Sequence, residues 1–231
     1  MASLRCISGL FGARLPKPRN LDNPISKTLP KYSSSWKIVS QMADLPTQLA
    51  LSPTSSLKIQ KGDITKWFVD GSSDAIVNPA NERMLGGGGA DGAIHRAAGP
   101  ELVAACYKVP EVRPGIRCPT GEARITQGFK LPAAHVIHTV GPIYDVDSNP
   151  EASLKSAYAN CLSLAKENNV QYIAFPAISC GVFGYPYDEA ATVAISTVKE
   201  FGKDLKEVHF VLFSDDIYNV WLNKANELLQ N

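Results

Sequence analysis

The chain has 231 residues, of which 45% are hydrophobic and 19% charged, enough for one globular domain with a tail. No apolar run reaches the ~20 residues that cross a bilayer as a helix. The net charge of +1 supplies no basic field, so neither a membrane nor nucleic acid is an expected partner.

The charge is unevenly placed. Residues 1–43 hold seven basic residues and one acid, a net +6; the remainder, with 16 basic and 21 acidic residues, is −5. The first segment also has seven serines and four prolines and no sustained apolar period. It cannot bury enough surface to offset its ordering entropy. It reads as an organelle transit peptide, rich in Arg and Ser and poor in acid, or else as a disordered basic tail. The Met-Ala-Ser start leans toward chloroplast over mitochondrion, whereas initiation at Met42 would leave the protein in cytoplasm or nucleus. The mature N-terminus is expected beyond this segment. Terminal sequencing that finds Met1 or Ala2 on most of the protein would refute the transit reading.

Residues 44–56 are rich in Ser, Thr and Pro and read as a linker, which places the domain at 57–231. From there strand and helix signals alternate. Leu57–Lys61 alternates as a short strand, and Ala75–Val77 is an apolar run ended by Asn78-Pro79. Asp91–Ala98 reads as a helix stopped by Gly99-Pro100, with Glu101–Tyr107 a further helical piece. Glu122–Thr126 and His135–Val140 are β-like. Glu151–Glu167 is a helix with Leu154, Ala157, Tyr158, Cys161, Leu162 and Ala165 on one stripe. Gln171–Phe175 is a strand, Tyr187–Phe201 a helix and Val208–Phe213 an apolar strand. Asp216–Leu229 is a last helix, with Ser214-Asp215 as cap candidates. This alternation predicts an α/β domain with helices on both faces of a mostly parallel sheet.

Ligands of such sheets bind at the C-terminal ends of strands. Three unusual loops fall there. They are Gly62–Thr65; Asn78–Asn81 leading into Gly86–Gly92; and Pro176–Pro186. Four consecutive glycines ahead of a helix expose backbone N–H groups to an anion, and the helix dipole adds to the attraction. The third loop repeats the recipe with Gly181 and Gly184. Two such loops facing each other could grip a diphosphate; the competing reading is that the glycines only turn the chain.

Gly87-x-Gly89-x-x-Gly92 matches the dinucleotide fingerprint as a string. It does not follow its strand directly, and no acid stands about 20 residues on for a ribose. A P-loop lacks its Gly-Lys-Ser/Thr. A nicotinamide dehydrogenase and a P-loop NTPase are therefore excluded. The five cysteines, Cys6, Cys106, Cys118, Cys161 and Cys180, are odd in number and widely spaced with no CxxC. They read as reduced thiols, with neither a disulfide framework nor a zinc knuckle. His135 and His138 are three apart on a strand and point to opposite faces, so they read as structural. His95 reads as a helical histidine. Ser179 reads as a polar loop residue, since there is no GxSxG elbow and no Ser-His-Asp order. Asp91, opening a helix after the glycines, is either a dipole partner worth ~0.3–1 kcal/mol or a group that holds a hydroxyl or a water beside a phosphate.

Taken together, the loops are recognisable. Gly62-Asp63-Ile64-Thr65, Asn78-Pro79-Ala80-Asn81, GGGGADGAIHRAAG at Gly86–Gly99, Gly121–Thr126, Val136–Pro142 and FPAISCGVFGYP at Phe175–Pro186 occur in the order found in macrodomains. Over about 57–229 the chain resembles that family, most closely its MacroD-type branch. The resemblance implies a three-layer α/β/α fold with a mixed, mostly parallel central sheet. It implies binding of ADP-ribose, with no metal, no cofactor and a monomeric state. Asp63 and the Ile64 amide look like the adenine contacts. Ala80, Asn81, Gly88, Gly89, Ala90 and Asp91 look like the distal-ribose and catalytic segment. Ser179, Cys180, Gly181, Val182, Phe183 and Gly184 look like the diphosphate loop. Phe213 looks like an adenine-stacking partner. Asp91, Asn81 and Gly181 are the catalytic residues that the resemblance implies.

The implied activity is removal of mono-ADP-ribose from acidic side chains of proteins, or deacetylation of O-acetyl-ADP-ribose. The alternatives are a non-catalytic ADP-ribose reader and an ADP-ribose-1″-phosphate phosphatase. The expected partners are thus ADP-ribose, its esters and mono-ADP-ribosylated proteins. Three positions depart from the branch: Cys180 stands for the usual Thr, Ala90 for Val and Pro79 for Ala. Loss of the threonine hydroxyl is expected to weaken or alter the diphosphate contact.

Overall fold

The computed structural model describes residues 47–230. The basic segment 1–43 and the first residues of the expected linker lie outside that range. Seven strands are described: β1 Thr47–Ser52, β2 Ser55–Lys61, β3 Asp74–Pro79, β4 Ala123–Gln127, β5 His135–Thr139, β6 Tyr172–Phe175 and β7 Glu207–Leu212. The helices are α1 Gly89–Ala98, α2 Pro100–Lys108, α3 Pro150–Glu167, α4 Tyr187–Phe201 and α5 Asp215–Leu229. One sheet contains all the strands in the order β1-β2-β7-β6-β3-β5-β4. The five inner strands are parallel and the two edges antiparallel.

The linker reading fails over 47–56. Thr47–Ser52 pairs with β2 as an edge strand, Leu49 opposite Leu57. Leu49 is buried between exposed Gln48 and Ala50, the alternation of a half-buried strand. The Ser, Thr and Pro content reflects a short edge strand and its Pro53-Thr54 turn. Polar, short edges are how sheets avoid pairing with other chains.

Strand alternation assigns the two faces. Ala75 and Val77 of β3 and Val208, Phe210 and Leu212 of β7 face the larger core, under α3, α4 and α5. Ile76 and Val211 face a smaller core, with Ile94 and Ala98 of α1 and Leu102 and Cys106 of α2. The result is three layers, helices on both sides of the sheet. In the larger core Tyr158, Phe175, Phe210 and Trp221 form a chain of rings 5.2–6.2 Å apart. Such pairs add about 0.5–1.5 kcal/mol each beyond the area they bury. Phe175 ends β6, and the Tyr158 hydroxyl accepts from the Ile178 amide at 3.4 Å. The aromatic core thus anchors the loop that leaves β6.

Helix ends follow local chemistry. Gly99, at φ +87°, closes α1, and Pro100 opens α2, as a Gly stop and a Pro first turn require. The Asn149 side chain caps α3 by accepting from the Ala152 amide. Ser214 holds the cap position of α5, but its hydroxyl makes no capping bond; Asp215 and Asp216 supply the negative first turn instead.

Candidate functional site

The parallel strands all deliver their C-terminal ends to one edge of the sheet. Along that edge the loops come in the order of the strands. Asp63 follows β2, Phe213 follows β7, Ser179–Gly184 follow β6 and Asn81 with the glycines follow β3. At roughly 4.8 Å between strands, β2 to β3 spans about 14 Å. The predicted adenine, diphosphate and distal-ribose residues therefore line a groove in that linear sequence, although they are scattered over 150 residues of chain.

At the first end, Asp63 caps a 3-10 turn, Ile64–Lys66. Its Oδ1 accepts from the Thr65 amide at 2.9 Å and the Thr65 hydroxyl at 2.7 Å. Ile64 and Trp67 are buried in the smaller core and pin the turn to the sheet. Trp67 Nε1 also donates to His209 Nδ1 at 3.2 Å. Phe213 lies one residue beyond β7 and is 83% exposed, a free ring at the rim of the groove.

In the middle, Ser179 is buried at φ +64°, and its Oγ has no hydrogen-bond partner. A non-glycine residue held in that region is strained and marks a site worth explaining. Gly141, beside the loop, has no side chain because one would run into Ser179 and Ile178. Cys180 lies in the larger core, where burial pushes its thiol up to about 12, and its amide donates to Ala177 O at 3.3 Å. Its side chain is thus a packing group, not a donor to the groove. Gly181 and Val182 are exposed, Phe183 is half-buried, and Gly184 N–H returns to Gly181 O at 3.0 Å. A Cβ placed on Gly181 or Gly88 meets nothing within 4 Å, and neither has a positive φ. The fold does not require glycine at these two positions, so the open space beside them fits a ligand.

At the far end, α1 begins with Gly88 as its cap, and Asp91 sits in its first turn. Glycine at 92 is required by packing, since a Cβ there would lie 2.5 Å from Gly87 O. A Cβ on Gly87 would stand 2.9 Å from Asp91 Oδ2 and 3.3 Å from Asn81 Nδ2. Asp91 and Asn81 thus meet across Gly87. Asn81 holds its own loop, donating to Gly86 O at 3.1 Å and accepting from the Arg83 amide at 3.1 Å. Ala80 is buried, and its amide donates to Asn78 O and Thr139 O, both at 2.9 Å. It forms wall, with no N–H left for a ligand. Ala90 is half-buried in the first turn of α1.

Three residues join the site that the sequence reading left aside. Asn78 Nδ2 donates to Asp91 Oδ1 at 2.8 Å and lies 3.1 Å from His138 Nδ1. His95 Nε2 is 3.4 Å from Asp91 Oδ1, and its ring covers Gly86. The i, i+4 spacing of Asp91 and His95 on a helix was the available signal. Asn78 and His138 are cross-strand partners on β3 and β5, which no local pattern announces. Burial pushes the Asp91 carboxyl above the usual carboxylate range, while the Asn78 hydrogen bond and nearby His95 pull it down. Burial, with His95 adding to it, takes His138 down to about 3, so its ring is neutral.

His95, Cys106 and His138 bring one potential ligand atom each within 4.8 Å of one another. The set does not fit a metal ion. Both His138 nitrogens are in hydrogen-bond contact, with Asn78 and Thr126. Burial holds the Cys106 thiol up at about 11, whereas a metal needs the thiolate. A separate cavity of about 400 Å³ lies between Tyr144, Tyr185, Glu151, Asp188 and Glu189. Its carboxylates would repel a phosphate, so it is not the anion site.

The geometry defines a class: a three-layer α/β/α domain whose groove pairs a glycine-lined middle with a buried acid at one end. The Macro domain profile matches residues 77–194, and a Macro domain-containing protein of Vibrio parahaemolyticus is 52% identical over 167 residues, covering 72% of this chain and 95% of the relative. The chain belongs to the macrodomain family, MacroD-type branch. The protein of Homo sapiens named ADP-ribose glycohydrolase MACROD2 is 43% identical over 187 residues, covering 78% of this chain and 42% of that protein. Among solved structures, the Oceanobacillus iheyensis macrodomain with ADP is 42% identical, with TM-score 0.74 over 80% of this chain and 97% of that one. The Trypanosoma brucei macrodomain in complex with ADP-ribose is 38% identical, with TM-score 0.63 over 72% of this chain and 68% of that one.

Proposed function

We propose that this chain binds ADP-ribose along the groove and hydrolyses esters at its distal ribose. It would release mono-ADP-ribose from acidic side chains of proteins and deacetylate O-acetyl-ADP-ribose. Asp91 carries the reading: a desolvated carboxyl, held by Asn78, at the end of the groove beyond the glycine loops. The linear order of the loops and the ligands named for the similar structures support it.

In this reading the exposed Gly181–Gly184 segment and the start of α1 receive the diphosphate through backbone N–H groups. That contact fixes the distal ribose beside Asp91 and Asn81. Hydrolysis adds water across the ester C–O bond. The water oxygen joins the attacked carbon, one water proton leaves, and the departing oxygen takes a proton. Asp91 orients the ribose hydroxyl and the water, and its carboxylate is the nearest base. The direct test is release of ADP-ribose from a carboxylate-linked mono-ADP-ribosylated protein by wild type and Asp91→Ala, with calorimetry of free ADP-ribose alongside. Release by wild type alone supports the hydrolase. Tight binding without release from this protein or from O-acetyl-ADP-ribose would make the chain a reader.

Asp63→Ala is expected to weaken ADP-ribose binding by about 1–3 kcal/mol, the scale of a lost charge-assisted hydrogen bond. Asp63 also caps its turn, so Asp63→Ser is the control, since serine caps without a charge. Full recovery of affinity in Asp63→Ser by calorimetry would assign the loss to the cap and remove Asp63 from adenine recognition.

A further inference from the structure

Asn78 is fully buried on β3, and its amide bridges two acceptors. One Nδ2 proton goes to Asp91 Oδ1 at 2.8 Å, and the other points to His138 Nδ1 at 3.1 Å. The Asn78 Oδ1 is left buried with no partner. Turning the amide over would satisfy neither side, because Oδ1 would then face the Asp91 carboxylate and the His138 lone pair. What decides the orientation is therefore which His138 nitrogen carries the proton.

That choice is made on the other side of the ring. His138 Nε2 lies 2.9 Å from Thr126 Oγ1 on β4, and the Thr126 hydroxyl donates to Gln127 O at 3.3 Å. With the hydroxyl proton on Gln127 O, Thr126 Oγ1 accepts from His138, which then carries its proton on Nε2 and offers a lone pair at Nδ1 to Asn78. In this tautomer every proton in the chain Asn78–His138–Thr126–Gln127 runs one way. The other titratable groups facing this chain are His95 on α1 and Cys106 on α2, whose Sγ is 3.8 Å from His138 Nε2; Arg117 and Asp91 both act on that thiol.

We propose that His138, with Thr126 behind it, is a positioning residue for Asp91: its fixed tautomer locks the Asn78 amide so that an N–H always faces the carboxylate. This inference rests on the hydrolase reading for its catalytic meaning, but its structural content does not. Losing the Nδ1 acceptor frees the Asn78 amide to turn its oxygen toward Asp91, which favours the protonated acid. Three strands of the sheet thus set the charge of a residue on a helix above them.

The test compares His138→Leu, which removes the acceptor, with His138→Asn, whose amide oxygen can occupy the Nδ1 position. The first readout is the titration of the Asp91 carboxyl by carbon NMR, assigned against Asp91→Asn. In His138→Leu the Asp91 pKa is expected to rise by about one unit or more, and the acid limb of kcat to move with it, tenfold in rate per unit at fixed pH on that limb. His138→Asn should stay near wild type, and affinity for free ADP-ribose should hold within about threefold in both. A folded His138→Leu with an unmoved Asp91 titration overturns the proposal. Should that variant fail to fold, Thr126→Val replaces it, read by nitrogen NMR of His138. A shift of the ring proton toward Nδ1 with a raised Asp91 pKa supports the proposal, and an unchanged tautomer overturns it. If the wild type hydrolyses no ADP-ribosyl ester, the carboxyl titration still decides this point while the proposed function falls.

Discussion

Asp91→Asn is expected to lower ester turnover by about 10²-fold or more, the scale of losing a positioned acid–base group, while free ADP-ribose still binds within a few fold. The substitution keeps the shape of the side chain and an oxygen that can accept from Asn78, so the wall of the groove survives. It removes the negative charge and the base. Rates measured on a carboxylate-linked ADP-ribosyl protein check this. Turnover unchanged from wild type would take Asp91 out of the mechanism.

The same variant carries a stability signature with a definite sign. Burial raises the folded-state pKa of Asp91 above its ordinary value of 3.8, so the folded protein holds that proton more tightly than the unfolded chain. The stabilisation from the neutral acid is complete below about pH 4 and is lost as pH rises through the raised folded value. Wild type should therefore lose stability relative to Asp91→Asn over that range, and at neutral pH the variant should melt no lower than wild type. Melting curves from pH 4 to pH 8 show this directly. A variant that melts well below wild type at neutral pH would mean that Asp91 is chiefly a structural cap. The pairing of lost turnover with retained stability is what a desolvated functional group produces.

Gly181→Glu is the second large effect, and it separates binding from folding. A side chain at 181 enters open space, so the melting temperature should stay within a degree or two of wild type. If the loop holds the diphosphate as proposed, a carboxylate there would face a bound phosphate at a distance on the order of 5 Å. At an effective dielectric near 20 that repulsion is roughly 3 kcal/mol, about 10²-fold in affinity. Gly181→Ala, which adds volume without charge, should lose far less. Calorimetry with ADP-ribose checks both variants. Equal affinity of Gly181→Glu and wild type would move the anion site away from this loop.

The conservative replacement at 180 reads differently once packed. A threonine-to-cysteine exchange on paper suggests a donor withdrawn from the ligand. In the fold, the Cys180 thiol lies in the core that contains Tyr158 and Phe175, while the glycines on its far side remain open. The exchange therefore changes core packing under the loop more than the groove itself.

The sequence alone determined the layered α/β architecture, because alternating strand and helix periods with glycine and proline stops are local signals. It also located the three loops, because Gly, Pro and Asn clusters between strand and helix signals are local breakers. It pointed to Asp63, Asn81, Asp91 and Gly181 by resemblance of ordered strings, and to Phe213 as the end of the last strand. It missed β1, because the polar composition that makes a tolerable edge strand is also that of a linker, and only pairing with β2 distinguishes the two. Tertiary structure decided what strand neighbourhood decides. The order β2-β7-β6-β3 turns residues far apart in the chain into one linear groove. The pairing of β5 with β3 on one side and with β4 on the other brings Asn78, His138 and Thr126 into a single hydrogen-bonded line to Asp91. Those contacts join positions 12 to 60 residues apart, and burial of Asn78, His138 and Asp91 excludes the water that would otherwise satisfy each group alone.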